Sequence, residues 1–169
     1  TATDDSGNTS TCTFTVKVVD TTNPAIACAA DPASVEATSS AGAAVSWTES
    51  TQATATDDGD SSVAITYSPV SGSTFAIGTT EVTATATDDS GNTSTCTFDV
   101  TVVDTTSPAI TCAADPASVE ATSSAGAAVS WTESTQATAT DDGDDSVAIT
   151  YSPASGSTFA IGTTEVTAT

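Results

Sequence analysis

The sequence Thr-Ser-Thr-Cys-Thr-Phe-Thr-Val-Lys-Val-Val, at residues 9–19, decides the fold. Its apolar side chains alternate with polar ones and therefore share one face of a β-strand; they are Cys12, Phe14, Val16 and Val18. The stretch returns at residues 93–103 with two changes. Other short runs alternate in the same way between Gly, Pro and Asp residues, and none has a helical period of useful length. The pattern predicts an all-β chain.

The whole chain repeats with a period of 84 residues, since residues 1–85 match residues 85–169 at 79 of 85 positions. About seven short strands in a period of this size predict tandem β-sandwich domains of 84 residues each. Pro24 and Pro108 stand where a first edge strand would begin, a place where proline is tolerated. The predicted divisions are the end of a preceding unit at 1–19, a complete unit at 20–103, and the front of a following unit at 104–169.

Both ends of the sequence fall inside predicted strands. We therefore expect these residues to belong to a much longer array of near-identical repeats. The alternative is a head-to-tail assembly of separate chains, in which residues 1–19 complete the unfinished sheet of a neighbour by strand addition. In either arrangement the partners are neighbouring identical repeats.

Composition excludes several classes of function. The chain has 22 acids, one base (Lys17), no His and a net charge of −21. A nucleic-acid binder needs a basic surface, and Ser/His or Cys/His catalysis needs histidine. No apolar run approaches the roughly 20 residues of a membrane span. We expect no enzymatic activity, no nucleic-acid partner and no membrane span in this segment.

The unit resembles the HYR domain, or hyalin repeat. The stretches that carry the resemblance cover nearly the whole period; they are residues 20–24, Cys28, and residues 45–49, 55–59, 67–69, 71–75, 77–80, 86–92 and 96–98. The resemblance implies a module of immunoglobulin-like fold in extracellular, cell-surface or matrix proteins. It also implies a role in adhesion or scaffolding rather than catalysis.

Four cysteines allow three pairings. Joining Cys12 to Cys28 is opposed by geometry, because the extended chain between them would hold them tens of ångströms apart. The first and last strands of an immunoglobulin-like sandwich run side by side in parallel, which brings Cys28 and Cys96 to the same end. We expect a Cys28–Cys96 disulfide, with Cys12 and Cys112 bonded outside these residues. The alternative is that all four cysteines are free thiols in the reducing interior of a cell. If they are oxidised, as we expect, the protein has an extracellular or cell-surface location.

The complete unit carries eleven acids and no base, and the acids cluster in two loops. In an immunoglobulin-like topology both loops share one end of the sandwich with Asp20, which lies in the linker between units (residues 20–24, repeated at 104–108). Hard oxygen ligands suit Ca²⁺, which takes six to eight of them. The candidate ligands are Asp20, Asp57, Asp58, Asp60, Asp88, Asp89 and Asn92. The alternative is that these residues are ordinary turn formers on a solvated surface.

Two further expectations concern the surface and the function. Asn8 and Asn92 stand in Asn-Thr-Ser glycosylation sequons, a weak signal in a sequence so rich in Ser and Thr. The near-identity of the repeats favours a structural role, as a rigid spacer or the body of an extracellular fibre. The alternative is the binding module of a surface adhesin that contacts a glycan or a protein.

Overall fold

Strands make up nearly all of the regular structure in the computed structural model, which describes residues 1–169. Two single helical turns, α1 (Glu49–Gln52) and α2 (Glu133–Gln136), are too short to leave a helical period in the sequence. The strands in chain order are β1 (Ala2–Thr3), β2 (Thr9–Ser10), β3 (Ala25–Cys28), β4 (Val35–Glu36), β5 (Ala43–Ala44), β6 (Ala53–Thr56), β7 (Ala64–Ser68), β8 (Thr74–Phe75), β9 (Gly78–Thr87), β10 (Thr93–Val103), β11 (Ala109–Cys112), β12 (Ala127–Ala128), β13 (Ala137–Thr140), β14 (Tyr151–Ser152), β15 (Thr158–Phe159) and β16 (Thr167–Ala168).

The complete unit, residues 20–103, has a main sheet of four strands in the order β4-β10-β9-β7. The long hairpin β9-β10 is antiparallel, with a register that runs from Thr93 opposite Thr87 to Val102 opposite Gly78. β10 pairs with β4 in parallel on its other side. In the complete unit the copy of this stretch at residues 93–103 is therefore β10, one of the two inner strands of the sheet.

A second layer covers the main sheet. β3 pairs with β6, and β5 pairs with β8, both antiparallel. β5, α1 and β6 follow one another closely in the chain. β5 and β6 therefore form one strand path that α1 interrupts, and β8 pairs with its first part and β3 with its second part. Two packed layers of this kind form the predicted immunoglobulin-like sandwich.

The first segment of the unit runs parallel to the last strand and changes layer on the way. It begins in the second layer as β3 and joins the main sheet as β4, where Val35 lies opposite Val102. Its course brings Cys28 beside Cys96, and a disulfide joins them with a Cα–Cα distance of 5.8 Å. The predicted pairing is confirmed, and it ties one layer to the other. Cys12 and Cys112 are free and exposed.

Four aromatic rings form the centre of the core. The ring centroid of Trp47 lies 5.2 Å from that of Phe98, 5.7 Å from that of Tyr67 and 6.1 Å from that of Phe75, all edge-to-face. Such contacts add to the free energy gained by burial alone. Small side chains fill the remaining space; those buried with the rings include Ala37, Ala43, Val45, Ala53, Val82, Ala84, Val100 and Val102.

The stretch at 9–19 and its copy at 93–103 have opposite surroundings. Phe98 is 3% exposed between the layers, whereas Phe14, at the equivalent position, is 87% exposed. Residues 104–169 likewise resemble residues 20–85 in sequence but bury far fewer side chains. Because the two copies have nearly the same sequence, the difference in burial must come from the strands that pack against each copy.

Candidate functional site

The loop between β9 and β10 is organised by one carboxylate. Asp88 is 5% exposed, and its Oδ1 accepts hydrogen bonds from the backbone N–H groups of Ser90 (2.9 Å) and Asn92 (2.8 Å). The Asn92 side-chain amide donates to Asp88 Oδ2 at 2.8 Å. Burial raises the pKa of Asp88, but these hydrogen bonds, with one from Gly91, outweigh it and leave the pKa below its ordinary value.

The turn forms without the rest of the unit. In the hairpin β1-β2, Asp4 accepts the same three hydrogen bonds from Ser6 and Asn8, at 2.8–3.0 Å. The Asn8 amide is the main cause of the lowered pKa of Asp4. The Asp-Asp-Ser-Gly-Asn sequence is therefore a self-sufficient turn, and the turn interpretation holds for Asp88 and Asn92 whatever else they do.

Three carboxylates from distant parts of the chain converge at this end of the complete unit. Asp20 comes from the linker, Asp57 from the loop after β6, and Asp88 from the β9-β10 loop; a carboxylate oxygen from each lies within 4.8 Å of the others. We call this group the acidic triad. No basic side chain of the unit is available to neutralise it. Like charges this close favour the binding of a cation.

Gly59 makes the approach of Asp20 possible. A Cβ built on Gly59 would overlap Asp20 Oδ2, so any larger residue would push the linker carboxylate away from the loop. The same relation recurs one period later, where a Cβ on Gly143 would overlap Asp104 Oδ2. The close approach of linker and loop is therefore a feature of the repeat.

One buried oxygen of the acidic triad has no hydrogen-bond partner. Asp57 Oδ2 accepts a hydrogen bond from Gly59 N at 2.8 Å, but Asp57 Oδ1 is buried and unpaired. Asp141, the equivalent residue in the next unit, also has a buried and unpaired Oδ1. Buried carboxylate oxygens are costly to leave unpaired. The oxygen is thus suited to a ligand that the protein itself does not supply.

The other candidate ligands are placed around the acidic triad. Asp60 Oδ2 accepts a hydrogen bond from Asp89 N at 3.1 Å, so it fastens the two loops together. Asn92 Nδ2 lies 3.5 Å from the Asp20 carbonyl oxygen. The side chains of Asp58 and Asp89 are exposed and make no hydrogen bonds. Of the seven candidates, three carboxylates therefore meet, two residues support them and two face solvent.

A second site lies at the opposite end of the complete unit. The Glu36 carboxylate accepts hydrogen bonds from the N–H and hydroxyl of Thr105, at 2.7 and 2.9 Å. It also accepts from the N–H and hydroxyl of Thr106, at 3.2 and 3.1 Å. We call these four hydrogen bonds the Glu36 clamp. It fixes the direction of the linker that enters the next unit.

Sequence reasoning missed Glu36 and Gly59. Glu36 is one of the eleven acidic residues of the complete unit. Its role depends on the change of layer in the first segment, which places β4 alongside the end of β10. Gly59 follows two aspartates, a sequence typical of a turn, and its second role, to let the linker approach, shows only in the structure. The repeat itself offers a signal, since Glu120 and Gly143 occupy the equivalent positions.

Comparison with known proteins agrees with this architecture. The family model of the HYR domain matches residues 19–102 and again residues 103–169. The chain belongs to the HYR domain family. HYR domains are non-enzymatic repeat modules of extracellular and cell-surface proteins. No helix of the structure is both long enough and apolar enough to cross a membrane.

Curated relatives carry HYR sequence within much larger proteins. The chain is 37% identical over 102 residues to the sushi, von Willebrand factor type A, EGF and pentraxin domain-containing protein 1 of Rattus norvegicus, and equally to that of Mus musculus. The match covers 60% of this chain and 3% of each relative. The chain therefore corresponds to a small part of these relatives.

The Glu36 clamp predicts an acid-sensitive junction between HYR units. The Thr105 N–H is the main cause of the lowered pKa of Glu36, with the Thr105 hydroxyl next and Thr106 contributing less. A lowered pKa means that the clamp is intact above the free glutamate value of about 4.3 and is lost as the pH falls through the lowered value. We expect residues 20–103 and 104–169 to lose their fixed mutual orientation over that acid range.

Residual dipolar couplings measured against pH test this prediction. In the Glu36→Gln variant the acid transition should disappear, because the carboxylate that accepts all four hydrogen bonds of the clamp is then absent. The matched control is Glu120→Gln, at the equivalent residue of the next unit, which makes no hydrogen bond in the structure. An unchanged transition in Glu36→Gln would show that another group controls the junction.

Proposed function

We propose that the chain is a rigid structural segment of an extracellular or cell-surface array, in which each HYR unit acts as a spacer. The observation that carries this proposal is that the linker is held from both sides. The Glu36 clamp holds Thr105 and Thr106 from the preceding unit. The next unit approaches Asp104 so closely at Gly143 that a Cβ would not fit. A linker held in this way fixes the orientation of one unit relative to the next.

The spacer role is also supported by what the surface of the complete unit lacks. Its aromatic side chains pack against one another in the core, whereas protein-binding surfaces are enriched in exposed aromatic residues. The two units are nearly identical, as expected for repeated copies of one structural element. A strongly acidic surface keeps such copies soluble and resists lateral aggregation of their sheet edges. We find no feature that favours the adhesive alternative.

We further propose that the acidic triad binds Ca²⁺ and stiffens the junction. Asp20, Asp57 and Asp88 supply oxygen ligands only, which suits a hard cation. The unpaired Asp57 Oδ1 and the space preserved by Gly59 support a bound ion rather than a solvated surface. Because Asp20 belongs to the linker, an ion held there would tie the linker to both loops.

Calorimetric titration of CaCl₂ into chelator-treated protein tests the calcium proposal. Asp57→Asn should weaken Ca²⁺ binding by at least tenfold, since it removes one charged ligand (about 1.4 kcal/mol per tenfold). Calcium should also raise the midpoint of thermal unfolding of the wild-type protein, because it binds only the folded unit. Asp57→Asn should abolish that rise.

Asp58→Asn is the matched control, because it makes the same chemical change on the neighbouring exposed residue. It should bind Ca²⁺ as the wild type does. Equal weakening by both substitutions would mean that calcium is attracted by the general negative charge. No measurable binding in the wild type would mean that calcium does not stiffen the junction. The Glu36 clamp and the tight linker would then be the sources of rigidity.

A further inference from the structure

The complete unit contains one long stretch without charge, residues 61–80. All eleven acids of the unit lie outside this stretch, and it contains no base. It covers β7, the turn that follows, β8 and the start of β9. The two large apolar side chains that the unit exposes, Val70 (59%) and Ile77 (42%), both belong to it. We call residues 61–80 the uncharged segment. Exposed apolar side chains on an uncharged surface are suited to contact with another protein.

The strand β7 of this segment is an edge of the main sheet. The strand order is β4-β10-β9-β7, so β7 pairs with β9 alone. β7 has five residues, and none of them is charged or a proline. The other edges are protected, because β4 and β8 have only two residues each and β3 follows Pro24. β7 has none of these protections and is free to pair with another strand.

The outer side of β7 presents the backbone groups of Ile65 and Tyr67. Across the β9-β10 turn the Asp88 N–H donates to the Asn92 carbonyl. Since successive residues of a strand direct their backbone groups to opposite sides, the even-numbered residues of β9 bond to β10 and the odd-numbered ones to β7. Thr66 lies opposite an odd-numbered residue of β9 and bonds to it. The N–H and C=O groups of Ile65 and Tyr67 therefore point away from the sheet, where no strand pairs with them.

We propose that β7 of one copy pairs in antiparallel fashion with β7 of a second copy, about a two-fold axis. Thr66 lies on the axis, opposite Thr66 of the second copy. Ile65 of each copy exchanges backbone hydrogen bonds with Tyr67 of the other. Two threonines directly opposite each other are a favourable pair across strands. The two four-stranded sheets then continue as one sheet.

The distribution of charge selects a second copy and sets its direction. The loop that carries Asp57, Asp58 and Asp60 lies just before β7. Antiparallel pairing places the two acidic loops at opposite ends of the joined strands, whereas parallel pairing would bring them side by side. A basic partner would be drawn to these loops rather than to an uncharged strand. The negative charge outside residues 61–80 opposes other contacts between copies, so the uncharged segment is the surface that they can share.

The following repeat differs at two positions beside this contact. Continuing the register beyond β7 brings Val70 of one copy close to Ser61 of the other. The equivalent residues of the following repeat are Ala154 and Asp145. An acid there replaces serine, and alanine replaces an exposed valine. Residues 145–164 are therefore a poorer surface for the same pairing, and the contact is assigned to residues 61–80.

The proposed contact is weak for one pair of units. Two strands of five residues bury a small area, below that of a standard protein interface. Where two arrays align, several such pairs form between them and the overall affinity rises through effective concentration. The contact lies apart from the linker, so its failure would leave the spacer proposal intact.

Amide hydrogen exchange of the 169-residue protein, measured by NMR at rising protein concentration, tests the proposal. A Cys12→Ala, Cys112→Ala background excludes disulfides between copies. The amides of Ile65 and Tyr67 should exchange fast in dilute protein and more slowly as the concentration rises. The amide of Thr66, already bonded to β9, should change far less. Exchange of Ile65 and Tyr67 that does not depend on concentration would overturn the proposal.

Isotope-filtered NOE spectra of a mixture of labelled and unlabelled protein test the direction of pairing. Antiparallel pairing predicts contacts between Ile65 of one copy and Tyr67 of the other. Contacts that join Ile65 to Ile65 would show parallel pairing and would contradict the two-fold arrangement.

Sedimentation equilibrium of the Thr66→Asp variant tests the strand itself. The substitution should weaken association by at least roughly fivefold, because it places two carboxylates face to face across the axis. The Thr66 side chain is exposed, so the fold should be kept. Thr95→Asp is the matched control, since Thr95 is also exposed and lies in the same row of the sheet, two strands from the edge. It should associate as the wild type does. Equal weakening by both substitutions would mean that total charge controls association, which would contradict pairing through β7.

Discussion

Removing the Cys28–Cys96 disulfide is expected to lower the free energy of unfolding of the complete unit by about 4 kcal/mol. The bond joins residues 68 positions apart, so the reduced unfolded chain regains much conformational freedom. The bond also ties the two layers of a unit whose core is small and rich in alanine. Small domains bury a limited fraction of their surface and are only marginally stable.

The double variant Cys28→Ala and Cys96→Ala measures this effect by guanidinium unfolding. A Trp131→Phe background in all samples lets the fluorescence of Trp47 report the complete unit alone. Cys12→Ala with Cys112→Ala is the matched control, because those thiols are free and exposed; with the Cys28–Cys96 bond intact in both proteins, it should leave stability unchanged. A loss of less than about 1 kcal/mol in the first variant would contradict a stabilising role for the bond.

Phe98→Ala is expected to lower the free energy of unfolding by roughly 3–5 kcal/mol, whereas Phe14→Ala should change it by less than about 0.5 kcal/mol. Phe98 is 3% exposed and its ring lies edge-on to Trp47, with centroids 5.2 Å apart. Truncation would leave a cavity at the centre of the core. Phe14 lies in a stretch that differs from that of Phe98 at only two positions, but it is 87% exposed.

The same unfolding measurement, in dilute protein with the Cys28–Cys96 bond intact, compares the two phenylalanine variants. The comparison is informative because the two strands differ at only two positions. Any difference in effect must therefore come from packing. Similar losses in the two variants would mean that residues 9–19 are buried in the dilute protein, contrary to the structure.

Local patterns predicted most of the sandwich. Strict alternation in residues 93–103 predicted which side chains face inward, and β10 buries them. The same alternation in residues 9–19 predicted a strand, but only Thr9–Ser10 is one, and Phe14, Val16 and Val18 are exposed because no second layer covers them. The parallel course of the first and last strands predicted the Cys28–Cys96 disulfide. These features can be predicted from one sequence, because side chains alternate between the two faces of a strand and because each residue of extended chain spans a known length.

The details of the junction could not be predicted in this way. Glu36 meets Thr105 because the first segment changes layer before it pairs with β10, and no local pattern encodes that change. Only three of the seven candidate ligands converge, because the side chains of Asp58 and Asp89 turn outward from the same loops. The direction of adjacent loop residues depends on tertiary contacts such as the hydrogen bond from Asp89 N to Asp60.

Electron microscopy of the native extracellular material, in calcium and then in EDTA, tests the central claim most directly. A rigid array of HYR units with calcium at its junctions predicts straight fibres that become flexible when EDTA removes the ion. Fibres that stay straight in EDTA would contradict the calcium junction. Short, flexible chains in both conditions would contradict the rigid spacer itself.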